Sequence, residues 1–304
     1  MNEIIMKIEN LTKEFDLDFF SKKRFKAVNN VSFEINKGEI ISLIGESGSG
    51  KTTVGKMILR LLKPTSGKIL FENKDIWDLK KNEVKEYYRN VQAIFQDPFS
   101  SFNTLFKINR VFNMIFDNFF PEEKNRKEKI EKVISQVGMN PTNILGKYPH
   151  QLSGGQLQRL LIARALLMNV KVLVADELIS MLDASTRIDV LNLLAEISEK
   201  TGMSIIFITH DLSLGYYLSD TTLIMYKGEI VEKGDTVEVY NNPQHPYTKM
   251  LLNSVPEIDR KWDKNEKFIP ETIIKEIELY YQANKEKSTI YEAISKNHYV
   301  KVKK

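Results

Sequence analysis

Short apolar runs separated by polar, glycine-bearing stretches set the frame of this chain. Residues Ile40–Ile44 form such a run, of the kind expected for a strand buried on both faces, and residues 54–62 continue as a helix whose one internal breaker is Gly55. A second run, Val172-Leu173-Val174-Ala175, ends in two carboxylates, Asp176 and Glu177, and a third, residues 205–208, ends at Thr209-His210-Asp211. Leu157, Leu160, Leu161 and Ala165 recur at helical spacing, as do Ile130, Val133, Ile134 and Val137 with Gly138 as their stop. Residues 80–88 read as a charged helix, and residues 222–225 and 229–231 as a hairpin around Lys227-Gly228. Residues 257–304 differ in kind. They are rich in Lys and Glu, with Ile273, Ile274, Ile277, Tyr280 and Tyr281 marking one amphipathic helix that either docks on its own domain or meets a partner; residues 296–304 read as a solvated, frayed tail.

Three junctions between these elements carry candidate chemistry. After the first strand comes Gly45-Glu46-Ser47-Gly48-Ser49-Gly50-Lys51-Thr52, a full match to the phosphate-loop pattern G-x-x-x-x-G-K-[ST]. Its glycines let backbone N–H groups converge on phosphate oxygens; Lys51 would neutralise β- and γ-phosphate charge, and Thr52 would hold Mg²⁺. The bare pattern arises by chance in roughly one chain of this size per hundred, given glycine at about 7%. A strand before the loop and a helix after it remove most of that risk, because together they make an anion site. The second junction is Leu152-Ser153-Gly154-Gly155-Gln156, where Ser153 and Gln156 have the spacing of a capping box. Capping alone does not require two glycines, which let a phosphate come close to the backbone. At the third, Asp176-Glu177, one carboxylate would serve Mg²⁺ and the next an attacking water. In an open parallel sheet the groups just beyond the carboxyl ends of strands share one crevice, so Lys51, Glu177 and His210 are expected together, with His210 as a γ-phosphate sensor.

With these motifs in this order, the chain resembles the nucleotide-binding subunits of ATP-binding cassette (ABC) transporters from residue 4 to about residue 255. The resemblance implies an α/β fold: a P-loop NTPase (RecA-like) core with an antiparallel β subdomain, an α-helical subdomain at about 97–165, and a C-terminal extension. Residues 1–235 would then be the ABC ATPase domain and residues 236–304 the extension. ATP binding would extend from the loop to Thr53 and to Phe15, which is either the aromatic that stacks on adenine or only an apolar residue near the end of the first strand. Gln96, in Ile94-Phe95-Gln96-Asp97-Pro98, looks like the Q-loop glutamine that contacts Mg²⁺ and reports to the membrane subunits. Asp183, in Ser180-Met181-Leu182-Asp183, looks like the D-loop aspartate. On this resemblance Glu177 and His210 are catalytic, Thr52, Gln96 and Asp176 hold the metal, and Leu152, Ser153, Gly154, Gly155 and Gln156 form the signature that meets the partner's ATP. Two positions depart from the family: Leu178 stands where Pro is usual, and Met181 where Ala is commoner. Neither removes an acid, a metal ligand or a phosphate donor.

The resemblance narrows to the oligopeptide/dipeptide importers through Gln96-Asp97-Pro98-Phe99-Ser100-Ser101-Phe102-Asn103 and, above all, Asn242-Pro243-Gln244-His245-Pro246-Tyr247-Thr248. It implies import of peptides or, in some relatives, of oligosaccharides or metal complexes. The implied partners are a paralogous ATPase subunit in a heterodimer (a homodimer being the alternative), two permeases and an extracytoplasmic binding protein, with this chain peripheral on the cytoplasmic face of the cell membrane. Residues 102–120, rich in Phe, are either core or, by the same resemblance, the neighbourhood that receives the permease's coupling helix.

Composition alters this picture little. The chain has 304 residues and 42% hydrophobic content, enough for one large domain with an appendage. No run of eighteen uncharged apolar residues is present, and Glu3, Lys7 and Glu9 stand where a signal peptide would be apolar, so neither a membrane span nor export is expected. Absence of cysteine excludes disulfides and a cysteine-bound iron–sulfur cluster. A net charge of +4 argues poorly for nucleic acid, and none is expected as a partner. The competing class, a soluble ABC ATPase of DNA repair or translation, generally carries long coiled-coil insertions or tandem cassettes, whereas this chain has one cassette and no sustained heptads. An exporter ATPase or a nucleotide-binding regulator without turnover stays open as a further alternative.

Overall fold

Residues Ile40–Ile44 form β3, and all five are buried because the strand lies inside a parallel sheet, flanked by β8 (Ser204–Thr209) and β9 (Thr221–Tyr226). The computed structural model describes residues 3–16, 24–254, 277, 279 and 289–303. Beyond β8 the sheet continues in parallel through β7 (Val172–Asp176) to β6 (Val91–Ile94). Beyond β9 it turns antiparallel, through β10 (Glu229–Asp235) and β12 (His298–Lys303) to β11 (Thr289–Ser295). A second, four-stranded sheet is antiparallel and ordered β2-β1-β4-β5, from β1 (Ile4–Asp16), β2 (Arg24–Asn36), β4 (Ser66–Phe71) and β5 (Lys74–Asp75).

Helix α1 (Lys51–Ile58) lies between the two sheets. Its Val54, Met57 and Ile58 share one buried cluster with Ile8, Val31 and Ile69 of the smaller sheet and Leu43, Val174 and Ile206 of the larger. The helix starts and stops earlier than the apolar pattern predicts, since Lys51 already opens it and Arg60 adopts a left-handed φ of 55°. Helix α2 (Lys81–Asn90) leads into β6. On the other side of the main sheet pack α3 (Ile108–Phe119), α4 (Arg126–Gln136), the short α5 (Pro141–Ile144) and α6 (Gly154–Met168), with α7 (Ala184–Thr201) beside them. The Phe-rich stretch divides by face: Phe102, Phe112 and Phe116 are core, while Leu105 and Met114 are exposed. Helices α8 (Leu212–Leu218), α9 (Thr236–Asn241) and α10 (Pro246–Asn253) complete the order.

The expectation of a frayed tail at residues 296–304 is overturned for 296–303, residue 304 lying outside the described residues. Strand β12 pairs with β10 from Glu232↔Val300 to Gly234↔His298, and both His298 and Lys301 are buried, the latter with Nζ 3.0 Å from Glu229 Oε2. Tyr299, Val300 and Val302 supply β-favouring side chains that the abundance of lysine obscured. Of the amphipathic stripe, Ile277 is helical and buried with Tyr247 and Leu251. Ile273, Ile274, Tyr280 and Tyr281 lie outside the described residues.

Candidate functional site

The parallel strands β3, β7 and β8 are neighbours, so their carboxyl ends deliver three junctions to one edge of the sheet. At the end of β3 the loop 45–52 packs against other backbone so closely that two of its glycines have no substitute. A Cβ on Gly45 would lie 2.1 Å from the Met225 carbonyl oxygen, and one on Gly50, at φ 108°, 2.4 Å from that of Ala27. Lys51 opens α1, buried, with Nζ donating to the carbonyl oxygens of Gly45 at 2.7 Å and Glu46 at 2.8 Å. Burial pushes its pKa down, and Glu177, Asp176 and Glu46 oppose that push. A cation desolvated in this way gains strongly from an anion brought to it. Thr53, two residues on, is half-buried in the same first turn.

At the end of β7, Asp176 is buried, and Thr52 Oγ1 donates to its Oδ1 at 3.4 Å. Burial raises the Asp176 pKa, the Thr52 hydrogen bond opposes this, and Glu177 adds to it. The hydroxyl and carboxylate are hard oxygen donors, which suits Mg²⁺, an ion that takes one or two carboxylates together with substrate phosphates. Glu177 follows at a left-handed φ of 49°, uncommon for a side chain of this size, with its N–H donated to Ile208 O at 2.9 Å. That bend turns the carboxylate towards β8, where Oε1 lies 3.3 Å from His210 Nδ1. Asp211 caps α8 by accepting from Ser213 and Leu214 N–H, and so fixes the turn that bears His210. Lys51, Thr52, Asp176, Glu177 and His210 therefore form one connected group.

Gln96 sits at a bend just beyond β6, on the same edge of the sheet, and is exposed. Phe15 is exposed near the end of β1, with the Lys13 ammonium 5.2 Å from its ring centroid. It pairs with Phe25, two residues before the Ala27 carbonyl that packs on Gly50.

Residues 152–156 lie elsewhere. Ser153 caps α6, its Oγ accepting from Gln156 N at 3.3 Å while Gln156 Oε1 accepts from Ser153 N at 3.0 Å, and Leu152 is buried just before it. Packing accounts for Gly155, where a Cβ would lie 2.9 Å from Thr186 Cγ2, but not for Gly154, whose Cβ would meet nothing nearer than 4.0 Å. Both open on a surface hollow of about 420 Å³ that also takes in Arg159, Met181 and Asp183 and includes none of residues 45–52. Asp183 caps α7 by accepting from Thr186 N at 3.0 Å and from the Ser185 hydroxyl at 2.6 Å, and these bonds hold its carboxyl far below the usual range. Two capped helix N-termini thus face one open hollow, an arrangement that favours an anion.

The chain matches the ABC transporter family over residues 28–180 and the oligopeptide/dipeptide transporter C-terminal region over residues 231–278. It belongs to the ABC transporter family. It is an ATPase of that family. It is 45% identical over 259 residues to the oligopeptide transport ATP-binding protein OppF of Streptococcus pyogenes, covering 84% of this chain and 83% of that one. Among solved structures, cbiO1 of Clostridium perfringens, part of the ABC transporter complex cbiONQ, superposes with TM-score 0.69 at 27% identity, over 79% of this chain and 92% of that one. The cassette MJ0796, in a dimeric post-hydrolysis state bound to ADP and Pi, superposes with TM-score 0.66 at 26% identity, over 76% and 98%.

Sequence reasoning missed the residues that hold this ABC ATPase's machinery in place. Gln158, buried on α6, donates through Nε2 to Leu178 O and so ties that helix to the residue after Glu177. Leu178 itself is buried, so the departure from Pro is absorbed by packing, whereas Met181 stands exposed on the rim of the hollow beside Gly154. Arg187 fastens the intervening turn, donating to Leu182 O at 2.8 Å and Ser180 O at 3.3 Å. A polar side chain inside an otherwise apolar helical face, as at Gln158, is the one signal that could have exposed this arrangement.

Proposed function

We propose that this chain is the ATP-binding and ATP-hydrolysing subunit that energises an importer of oligopeptides or dipeptides. The observation that carries the reading is the separation of two half-sites: a charged group around Lys51, and a signature hollow with its own phosphate-compatible backbone but no lysine loop. Residues 45–53 bind the triphosphate of one ATP, with Lys51 offsetting its charge and Phe15 stacking on its base. Thr52, Asp176 and Gln96 would hold Mg²⁺, which would supply counter-charge to the triphosphate. Glu177 takes the proton of the attacking water, and His210, hydrogen-bonded to it, orients that carboxylate and senses the γ-phosphate.

Residues 152–156 contact the ATP of a second subunit, so two chains close only when nucleotide bridges them. ATP must therefore bind the closed dimer better than the open one. Loss of the γ-phosphate link reopens it. The second subunit is a paralogous ATPase, and the pair drives two permeases fed by an extracytoplasmic binding protein, with this chain peripheral on the cytoplasmic face of the membrane. Among the described residues no helix is long and apolar enough to cross a membrane. The peptide branch is supported by the match over residues 231–278 and by the name of the OppF relative. The boundary near residue 235 is functional on this reading, since α9, α10 and the β11–β12 hairpin still pack on the ATPase core.

Purification of the complex tests the proposal. The chain should be recovered with two membrane proteins, and its ATP turnover should rise with peptide-loaded binding protein; turnover without any membrane partner would assign it to a soluble process. Ser153→Arg tests the two-chain clamp. A bulky cation there should block closure and abolish ATPase activity of the complex, yet leave ATP affinity of the isolated chain within about twofold, because the substitution lies outside its own phosphate loop. Calorimetry on the monomer and turnover of the complex check both halves, and loss of monomer binding would mean that residues 152–156 serve their own chain's site.

A further inference from the structure

The phosphate loop is held from behind by a residue of the C-terminal extension. The Glu46 N–H donates to the Tyr247 hydroxyl at 3.0 Å, across 201 positions of sequence. Tyr247 is fully buried in the first turn of α10, its ring centroid 4.2 Å from that of Tyr226. A connected set of hydrogen bonds fixes it there. His245 Nδ1 accepts from the Tyr247 N–H at 3.1 Å, and burial lowers the His245 pKa to about 3, which keeps the imidazole neutral and that lone pair available. The buried Glu232 carboxylate of β10 accepts from Gln244 N at 2.7 Å and His245 N at 3.0 Å, and its Oε1 lies 2.7 Å from His298 Nε2 of β12. The far side of the loop is fastened separately, by Gly228 N–H to Ser49 O at 2.9 Å.

We infer that Tyr247 is a positioning residue for ATP binding: through the Glu46 N–H, the C-terminal extension holds the phosphate loop in its nucleotide-ready conformation. An N–H given to Tyr247 adds no direct bond to a ligand, so its contribution is conformational. When a loop occupies its binding-competent form only part of the time, apparent affinity falls by that fraction. Removing the hydroxyl leaves Glu46 N–H without its partner and lets other loop conformations compete. The inference rests on the proposed role of residues 45–53 in binding the triphosphate.

The test uses the full chain with Tyr247→Phe, which deletes one oxygen and keeps the packed ring. Tyr240→Phe is the control, because its hydroxyl donates to Leu212 O at 2.7 Å in the same buried cluster without touching the loop. Tyr247→Phe should weaken Mg-ATP binding by roughly five- to thirtyfold in calorimetry. It should raise KM for ATP similarly in the assembled complex, with kcat held within about twofold, since Glu177 and His210 are untouched. Tyr240→Phe should leave affinity unchanged. A merely structural role predicts a lower Tm with unaltered affinity, or equal losses in both variants, and either result overturns the inference. Lys51→Ala, measured alongside, separates the two ideas: if it retains ATP affinity the loop assignment fails, and if it alone loses affinity only the role of Tyr247 fails.

Discussion

Glu177→Gln is expected to slow ATP hydrolysis by roughly 10²- to 10⁴-fold, the usual range for losing a general base, while Mg-ATP binding is retained. The substitution keeps the size of the side chain and its capacity to accept from His210, but an amide cannot take a proton from water at neutral pH. Because nucleotide would still bridge the two chains, the variant should also accumulate as a closed, ATP-bound dimer, visible by size-exclusion chromatography as a dimer that persists only with ATP. Asp176→Asn should behave differently. Its carboxylate is buried beside Thr52, and on its proposed role as a metal ligand its loss would lower Mg²⁺-dependent nucleotide affinity together with turnover. If Asp176→Asn spared metal-dependent binding and Glu177→Gln destroyed it, the two acids would have exchanged roles.

The parts of the site that follow one another along the chain were legible before the structure was. A strand, a glycine loop and a lysine at fixed spacing specify the cradle around Lys51, because close backbone approach demands the glycines and phosphate charge the lysine. Asp176, Glu177 and His210 were legible for a related reason: each ends an apolar run, and neighbouring parallel strands bring such ends together. What could not be read were hydrogen bonds between distant segments. Gln158 with Leu178 and Tyr247 with Glu46 each join positions whose sequence contexts say nothing of one another. The C-terminal hairpin was hidden differently. Its lysines suggested solvent, yet Lys301 is drawn in beside Glu229, and His298 is matched to a buried carboxylate, so composition misled where partner geometry decided. The Phe-rich stretch gave a mixed reading because one helix can hold core on one face and leave Met114 exposed on another.

Lys51→Ala is expected to abolish productive ATP binding. In the structure Lys51 donates to two carbonyl oxygens of its own loop, and those bonds must be exchanged for phosphate oxygens when a nucleotide enters. The exchange favours the nucleotide because the buried ammonium then acquires, through short bonds to anionic oxygens, the counter-charge its surroundings only partly supply. Charged hydrogen bonds contribute about 1.5–3 kcal/mol each, so losing two of them corresponds to roughly a 10²- to 10⁴-fold loss of affinity. Lys51→Met is the companion variant, since it keeps most of the apolar stem in its packed position and removes only the charge. Both variants should lose ATP binding in calorimetry and hydrolysis in a steady-state assay, while Tm in the absence of nucleotide changes little for Lys51→Met. Undiminished hydrolysis by either variant would overturn the assignment of residues 45–52 as the phosphate loop. Loss of folding in Lys51→Ala with normal ATP affinity in Lys51→Met would instead make Lys51 a structural tether of the Gly45 and Glu46 carbonyls.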